Sequence, residues 1–262
     1  MKVVIFAGGL GSRLSEETGS RPKPMVEIGG KPILWHIMKM YSNHGFNDFV
    51  ICLGYKGNMI KEYFIHYFIH NSDLTVELSN NNVDIHFSNA EQFKVTLIDT
   101  GENTMTAGRL KRIKKYIDED NFMLTYGDGV SDVDISSLVN FHLEHGRIAT
   151  LTAIQPEARF GGMSIDNNNK IAEFKEKPKG DGRWINGGFF VLRKEVFDYL
   201  DYDTIDDIMW EDEPLQELSK NSELFAYKHH GYWKCMDFIK DKIELEKIWQ
   251  SGNVPWMKNN KI

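Results

Sequence analysis

Phe6-Ala7-Gly8-Gly9-Leu10-Gly11-Ser12-Arg13-Leu14 ends the apolar run Val3-Val4-Ile5-Phe6 and is closed by Arg21-Pro22-Lys23-Pro24-Met25. The run reads as a buried strand, and the glycines behind it let the backbone turn sharply and present bare N–H groups. Such a loop can hold an anion, or it can be an ordinary turn between a strand and a helix. Two nearby cations favour the first reading. Arg13 stands at the loop exit, and Lys23 lies between two prolines whose rings each hold φ near about −65°. A lysine on so stiff a segment, beside an anion nest, points to a bound phosphate. The loop is not a Walker A motif, which needs Gly-Lys followed by Ser or Thr. Nor is it a dinucleotide fingerprint, whose third glycine would fall where Leu14 stands.

Working outward, Pro32 can open a helix running to about Asn43, with Ile33, Ile37, Met40 and Tyr41 on one face and Gly45 placed to end it. Phe49–Leu53 reads as a second buried strand and Asn58 to about Phe68 as another helix, an alternation that predicts a parallel sheet. His66 and His70 lie four apart, but with no third ligand nearby they read as the polar edge of a packed helix. Ser79–Asn82 is turn material between two extended pieces. Val95–Asp99 is a further strand, and the following segment reads as a helix capped by Thr104 or Thr106, with Arg109 exposed. Asp128, between Gly127 and Gly129, stands at the carboxyl end of the strand Phe122–Tyr126. That is where open α/β sheets bind ligands, and a hard carboxylate there suits Mg2+. Asp132 and Asp134 read as turn or cap residues.

Farther on, Ala149–Ile154 is a strand and Arg159 to Phe174 a hairpin leading to Glu176-Lys177-Pro178. Trp184–Leu192 reads as one strand whose small residues at Asn186-Gly187-Gly188 let something approach the backbone. Glu211–Ser219 should be a helix, Leu224–Tyr227 a short strand and His229-His230-Gly231 a turn. Asp237 then places a second acid at a strand end. Ile239, Ile243, Leu245, Ile248 and Trp249 give a final amphipathic helix over about 238–250.

The 262 residues fit one catalytic domain, 1–262, whose 31 basic and 38 acidic residues leave a net charge of −7. That balance argues against nucleic acid as a partner and asks for local positive charge instead. Cys52 and Cys235 are far apart, which suits a reducing compartment. With no signal-like segment and no apolar run near the ~20 residues of a membrane span, a soluble, cytoplasmic protein is expected.

Gly8–Arg13, Pro22–Met25, Tyr126–Gly129, Glu176–Pro178, Ile185–Phe189 and the late Asp237 together resemble the signature of the sugar-1-phosphate nucleotidylyltransferases. The resemblance implies a Rossmann-like, three-layer α/β fold with a mixed, mostly parallel sheet and helices on both faces, the sugar being held mainly by 150–235. It implies that Phe6, Ala7, Gly8, Gly9, Leu10, Gly11, Ser12 and Arg13, with Lys23, Thr104, Arg109, Gly127 and Asp128, hold a nucleoside triphosphate. Gly161, Glu176, Lys177, Asn186 and Gly187 would hold the sugar phosphate, and Asp128 and Asp237 a Mg2+ ion. Arg13, Lys23 and Lys177 would act on the reacting phosphates. Trp35–Tyr41 and Lys177–Gly182 look most like the CDP-glucose-forming branch. This implies CTP and glucose 1-phosphate as substrates, a place in deoxysugar or O-antigen (lipopolysaccharide) precursor synthesis, and a homo-oligomer, specifically a hexamer. A UTP- or dTTP-using relative remains the alternative. A silent, sugar-nucleotide-sensing homologue would be expected to lack Arg13, Lys23 or one of the acids, and all are present. Ser12 departs from the usual Thr but keeps the hydroxyl, and Ser15–Thr18 replaces a proline-containing turn.

Overall fold

The computed structural model describes residues 1–156, 162–165, 170–175 and 184–258. At its centre an eight-stranded sheet is built around Val3–Ala7, all five residues of which are buried. Successive side chains of a strand point to opposite faces, and here they enter two different cores. Val3, Ile5 and Ala7 pack with the helices Ile33–Ser42 and Ile135–His145. Val4 and Phe6 pack with Thr106–Arg112 and Glu213–Lys220. A strand apolar at every position is what a sheet covered on both faces requires, so the sheet is the middle of three layers. Each of the Val3, Val4, Ile5 and Phe6 side chains is worth about 1.5–3 kcal/mol when fully buried.

Val3–Ala7 runs parallel to Asp48–Leu53 on one side and to Asn121–Tyr126 on the other, and Lys94–Asp99 continues parallel beyond Asp48–Leu53. Phe190–Arg193 is antiparallel between Asn121–Tyr126 and Ala149–Ile154, and Leu224–His229 lies parallel to Ala149–Ile154. The sheet is therefore mixed and mostly parallel, not purely parallel as the strand–helix alternation alone suggests. Strand order reverses at Val3–Ala7, which leaves a crevice at the carboxyl ends of this strand and its neighbour Asn121–Tyr126. Gly8 and Gly127 follow directly at that edge.

Three expectations are corrected. Trp184–Leu192 is not one strand: Ile185–Asn186 and Phe190–Arg193 both pair with Ala149–Ile154, interrupted where Gly188 and Phe189 take φ 76 and φ 50. The left-handed turn carries the Phe189 ring into the core, 1% exposed. In the helix Gly57–His70 only Gly57 and Ile60 are fully buried, with Phe64 packed half-buried on the core and Tyr67 accepting from the Trp35 indole. Ile65 and Phe68 of the helix stand out, and in the hairpin of Ser72–Glu77 with Asn82–Ser88 the residues Val83, Ile85 and Phe87 are exposed as well. His66 and His70 are exposed and stack on each other, His66 Nδ1 also lying 2.9 Å from the Glu62 carbonyl oxygen.

The final helix, Ile239–Gln250, is the third correction: Ile239 and Ile243 are exposed, and its hold on the body is partly polar. Asp241 is buried and accepts from the N–H groups of Asp237 and Phe238, Glu246 accepts from the Gly29 N–H at 2.8 Å, and Lys242 pairs with Glu17. Trp249 joins Trp35 and Trp256 around the buried His36 ring, whose Nδ1 accepts from the Trp256 indole N–H. Nε2–H of that tautomer donates to the Ile28 carbonyl. Among the described residues no helix is long and apolar enough to cross a membrane.

A second buried histidine gives a stability signature. His142 lies between Thr150 Oγ1 and Asn121 Oδ1, at 2.8 and 3.2 Å. Burial first, then the neighbouring His145 and Arg193, lower its pKa from 6.5 to about 4. The depressed folded-state value means that its contribution is whole above pH 6.5 and is lost as pH falls towards 4. At about 1.4 kcal/mol per pH unit the full loss is about 3 kcal/mol. Urea unfolding at pH 7 and 4.5 is expected to show a smaller acid destabilisation for His142→Gln than for the parent; equal losses would acquit this residue.

Candidate active site

The glycine loop is shaped from behind. Gly11 takes φ 64, and its carbonyl accepts from the Leu14 N–H and the Thr18 hydroxyl at 2.9 and 3.1 Å. The Gly8 carbonyl accepts from the Tyr55 N–H and Arg109 Nη2 at 3.1 and 3.0 Å. In a trans peptide C=O and N–H point opposite ways, so tying back these carbonyls turns the Gly9 and Ser12 N–H groups towards the open side. The loop is thereby pre-arranged for an anion.

Arg109 is the brace of that arrangement. It is 4% exposed, and its guanidinium also donates to the Leu53, Gly101 and Glu102 carbonyls and to Thr100 Oγ1. This overturns the expectation of an exposed Arg109 and turns its donors to the backbone instead of the cleft. The capped-helix reading fails as well. The N-cap residue is Met105, without a side-chain cap, because the Met105 and Ala107 N–H groups are met by the Asp206 and Ile208 carbonyls. Thr104 is buried, and Thr106 donates to Glu211 Oε2 while accepting from the Trp210 N–H. A Cβ on Gly8 would stand 2.1 Å from Arg109 Nη1. Hydrogen bonds of a charged group are worth about 1.5–3 kcal/mol each. Gly8→Ala is thus expected to lower the melting temperature and to raise the triphosphate KM by on the order of tenfold. Parent-like values of both would mean that the guanidinium moves without cost.

Opposite the loop stands a cluster of opposed charges. Pro22 at φ −70 leads into the tight turn Lys23–Met25, which holds the Lys23 backbone. The Lys23 side chain is largely buried, and Nζ donates to Asp128 Oδ2 at 2.6 Å and to Asp237 Oδ1 at 2.7 Å. Arg13, mostly exposed, reaches the other Asp237 oxygen at 2.9 Å. Burial works to lower the Lys23 pKa, but the Asp128 charge and the hydrogen bonds to both acids outweigh it and push the value up to about 12. Burial likewise works to raise Asp237, yet Lys23 and then Arg13 hold its carboxyl below the usual range. Burial, and then the charge of Asp128, push the Cys235 thiol well up, so it stays protonated at neutral pH.

Each acid is delivered by backbone. The Gly127 N–H donates to the Phe6 carbonyl at 2.9 Å, and a Cβ on Gly127 would sit 2.6 Å from that oxygen, so only glycine lets Asp128 come so close. Trp233–Cys235 pairs antiparallel with Gly129–Ser131, and the Met236 N–H donates to the Asp128 carbonyl, which brings Asp237 alongside. Donor atoms of Asp128, Asp237 and Cys235 lie within 4.8 Å of one another. The two carboxylates are hard donors of the kind Mg2+ takes. With a buried ammonium already held between them, they form a place that fits a cation.

A cleft of about 250 Å³ opens here, and Phe6, Ala7, Gly9, Gly11, Ser12, Arg13, Lys23, Gly127 and Asp128 all line it. Gly8 and Leu10 belong to the same loop, whereas Thr104 and Arg109 do not reach its lining. Sequence reading missed Pro24, Thr106 and Tyr126 in the lining. Tyr126 donates its hydroxyl to Glu211 and accepts from Asn186 Nδ2 at 3.3 Å. Asn186 is thereby connected to the cleft wall, and the adjacent Gly187 carbonyl accepts from the Trp233 indole at 2.7 Å. Gly161, Glu176 and Lys177 lie outside the described residues. Of the missed groups, Cys235 had a signal: it stands two residues before Asp237, on the same face of an extended chain.

Residues 2–235 match the family model described as nucleotidyl transferase. The glucose-1-phosphate cytidylyltransferase of Salmonella typhimurium is 55% identical over 257 residues, covering 98% of each chain. Among solved structures, HddC from Yersinia pseudotuberculosis complexed with GMP-PN is 26% identical with a TM-score of 0.67, over 95% of this chain and 99% of that one. The inositol-1-phosphate CTP transferase from T. maritima, 17% identical, shares the fold with a TM-score of 0.66, over 96% of each chain.

Proposed function

The chain belongs to the nucleotidyl transferase family, and from that premise we propose that it transfers the cytidylyl group of CTP to α-D-glucose 1-phosphate, giving CDP-glucose and pyrophosphate. The observation that carries this reading is the Lys23 ammonium, held on a proline-braced turn between Asp128 and Asp237 at the mouth of the glycine loop. The 55% identity to a glucose-1-phosphate cytidylyltransferase supports the choice of base and sugar.

The chemistry follows from charge. A sugar 1-phosphate is largely dianionic at neutral pH, its second pKa being about 6, so its oxygen is a nucleophile without a general base. The obstacle is repulsion between that oxygen and the triphosphate. The Gly9 and Ser12 N–H groups hold the triphosphate, and Arg13 and Lys23 offset its charge so that the oxygen can align behind the α-phosphorus. Lys177 joins them by the resemblance. The P–O bond to the β-phosphate breaks as the new one forms, in line, and Arg13 steadies the departing pyrophosphate. Asp128 and Asp237 would hold Mg2+, which supplies further neutralisation of phosphate charge. Asn186 and Gly187, with Gly161 and Glu176, would receive the sugar, and Tyr126 keeps Asn186 in place.

The exposed apolar side chains of Ile65, Phe68, Val83, Ile85 and Phe87 are compatible with self-association, and we take the protein to be a homo-oligomer, a hexamer by the resemblance. We assign it to the cytoplasm, where triphosphates are supplied, and to the synthesis of deoxysugar precursors for O-antigen.

Pyrophosphate release, measured with four nucleoside triphosphates against several hexose 1-phosphates, tests this reading. CTP with glucose 1-phosphate is expected to exceed every other pair in kcat/KM by at least about tenfold, the effect of one well-made polar contact. Preference for UTP or dTTP would overturn the cytidylyl assignment, and release from no pair would overturn the transferase.

A further inference from the structure

Cys235 ends the strand Trp233–Cys235, two residues before Asp237, and its sulfur shares a space no wider than 4.8 Å between donor atoms with Asp128 and Asp237. It is half-buried there, whereas the other cysteine, Cys52, is sealed in the sheet. Resting on the reading of Asp128 and Asp237 as the cation-holding pair, we propose that Cys235 makes this a mixed oxygen–sulfur site for thiophilic divalent cations such as Zn2+, Co2+ or Cd2+, which bind in place of Mg2+ and arrest the enzyme.

Ion chemistry separates the two classes of cation. Mg2+ takes oxygen donors at about 2.0–2.1 Å in a strict octahedron and keeps several waters, so it can use the carboxylates and leave the sulfur alone. Zn2+ and its softer relatives favour sulfur. With bonds of about 2.3 Å to sulfur and about 2.0 Å to oxygen, donors around tetrahedral Zn2+ stand roughly 3.5 Å apart. Closing the present cluster to that size needs side-chain movements of about 1 Å, which ordinary torsional adjustment supplies. Three protein donors would then leave one position open to the cleft, the count found in open zinc sites. On binding, the thiol proton leaves to water as the sulfur–metal bond forms, and no oxidation state changes.

Arrest follows from what already occupies the space. The Lys23 ammonium donates to the same two carboxylates at 2.6 and 2.7 Å, so an ion bound to both acids and the sulfur evicts it. A hydrated Mg2+ can share carboxylate oxygens with Lys23. An ion anchored by a third, sulfur ligand is drawn deeper and held there.

Co2+ is the probe, because a sulfur ligand gives it a charge-transfer band in the near ultraviolet that oxygen ligands do not. Titration of the intact protein is expected to develop this band and saturate at one ion per chain. The band should be absent in Cys235→Ser and Cys235→Ala and kept in Cys52→Ser, with Co2+ retention in equilibrium dialysis at least tenfold weaker in both Cys235 variants. Thermal unfolding of the variants verifies that they are folded, and two replacements guard against one that is not. A band that persists without Cys235, or a parent with no band, overturns the proposal. Parent and variants retaining Co2+ equally, with no band, would remove the sulfur ligand and leave the carboxylate pair standing. No retention by any of them would remove both.

Discussion

Lys23→Ala is expected to lower kcat by about 10²–10³, the effect of deleting one positioned charge stabiliser, with a much smaller change in KM. The split follows because an ammonium held between Asp128 and Asp237 is placed for charge that gathers in the transition state, not for grip on either substrate alone. The variant also has a titration signature. With the ammonium gone, Asp237 loses the strongest of the attractions that hold its carboxyl low and keeps the exposed Arg13 and the Cys235 thiol, so its pKa moves upward and the acid limb of the pH–rate profile moves to higher pH with it. Lys23→Arg should rescue little, since a planar guanidinium on so constrained a turn cannot reproduce a point charge between two carboxylates. Turnover near that of the parent, or an unmoved acid limb, would contradict the role given to this lysine.

Asp237→Asn tests the other half of the cluster. Partners that only orient a metal ligand cost about 10–100-fold in metal affinity when changed, so losing a direct carboxylate should raise the Mg2+ concentration for half-maximal activity by at least as much. The fold should tolerate the change: Lys23 retains Asp128, and the Asp237 backbone N–H still donates to Asp241. Thermal unfolding is accordingly expected to shift by no more than the equivalent of about 1 kcal/mol, the ordinary net worth of one hydrogen bond. A Mg2+ titration that superimposes on the parent's would remove Asp237 from the site.

Much of this was legible in the chain. The runs Val3–Phe6, Phe49–Leu53 and Phe122–Tyr126 are apolar without alternation because both sheet faces are covered, and their loops announce the edge where ligands gather. Lys23, Arg13 and Asp128 were readable because their neighbours are glycines and prolines, whose backbone effects are local. What escaped depends on distant partners. Arg109 cannot be distinguished from a surface arginine by its neighbours, since its acceptors are carbonyls spread from Gly8 to Glu102. The Tyr126–Glu211 contact joins segments 85 residues apart. The break at Gly188-Phe189 hides inside an apolar run because a left-handed phenylalanine carries no local signal. The apolar residues of Gly57–His70 looked like core for the same reason: composition does not say which side of a helix meets protein.

The late helix Ile239–Gln250 has a consequence in time. It reaches back to Glu17, Gly29 and the Asp237 amide, while Lys23 acquires its second carboxylate only from residue 237. A ribosome must add 214 residues after Lys23 before that ammonium can meet its second carboxylate. Nascent fragments therefore hold Lys23 with Asp128 but without Asp237, and a stop codon between 128 and 237 yields a polypeptide that carries the glycine loop and the lysine without the second carboxylate.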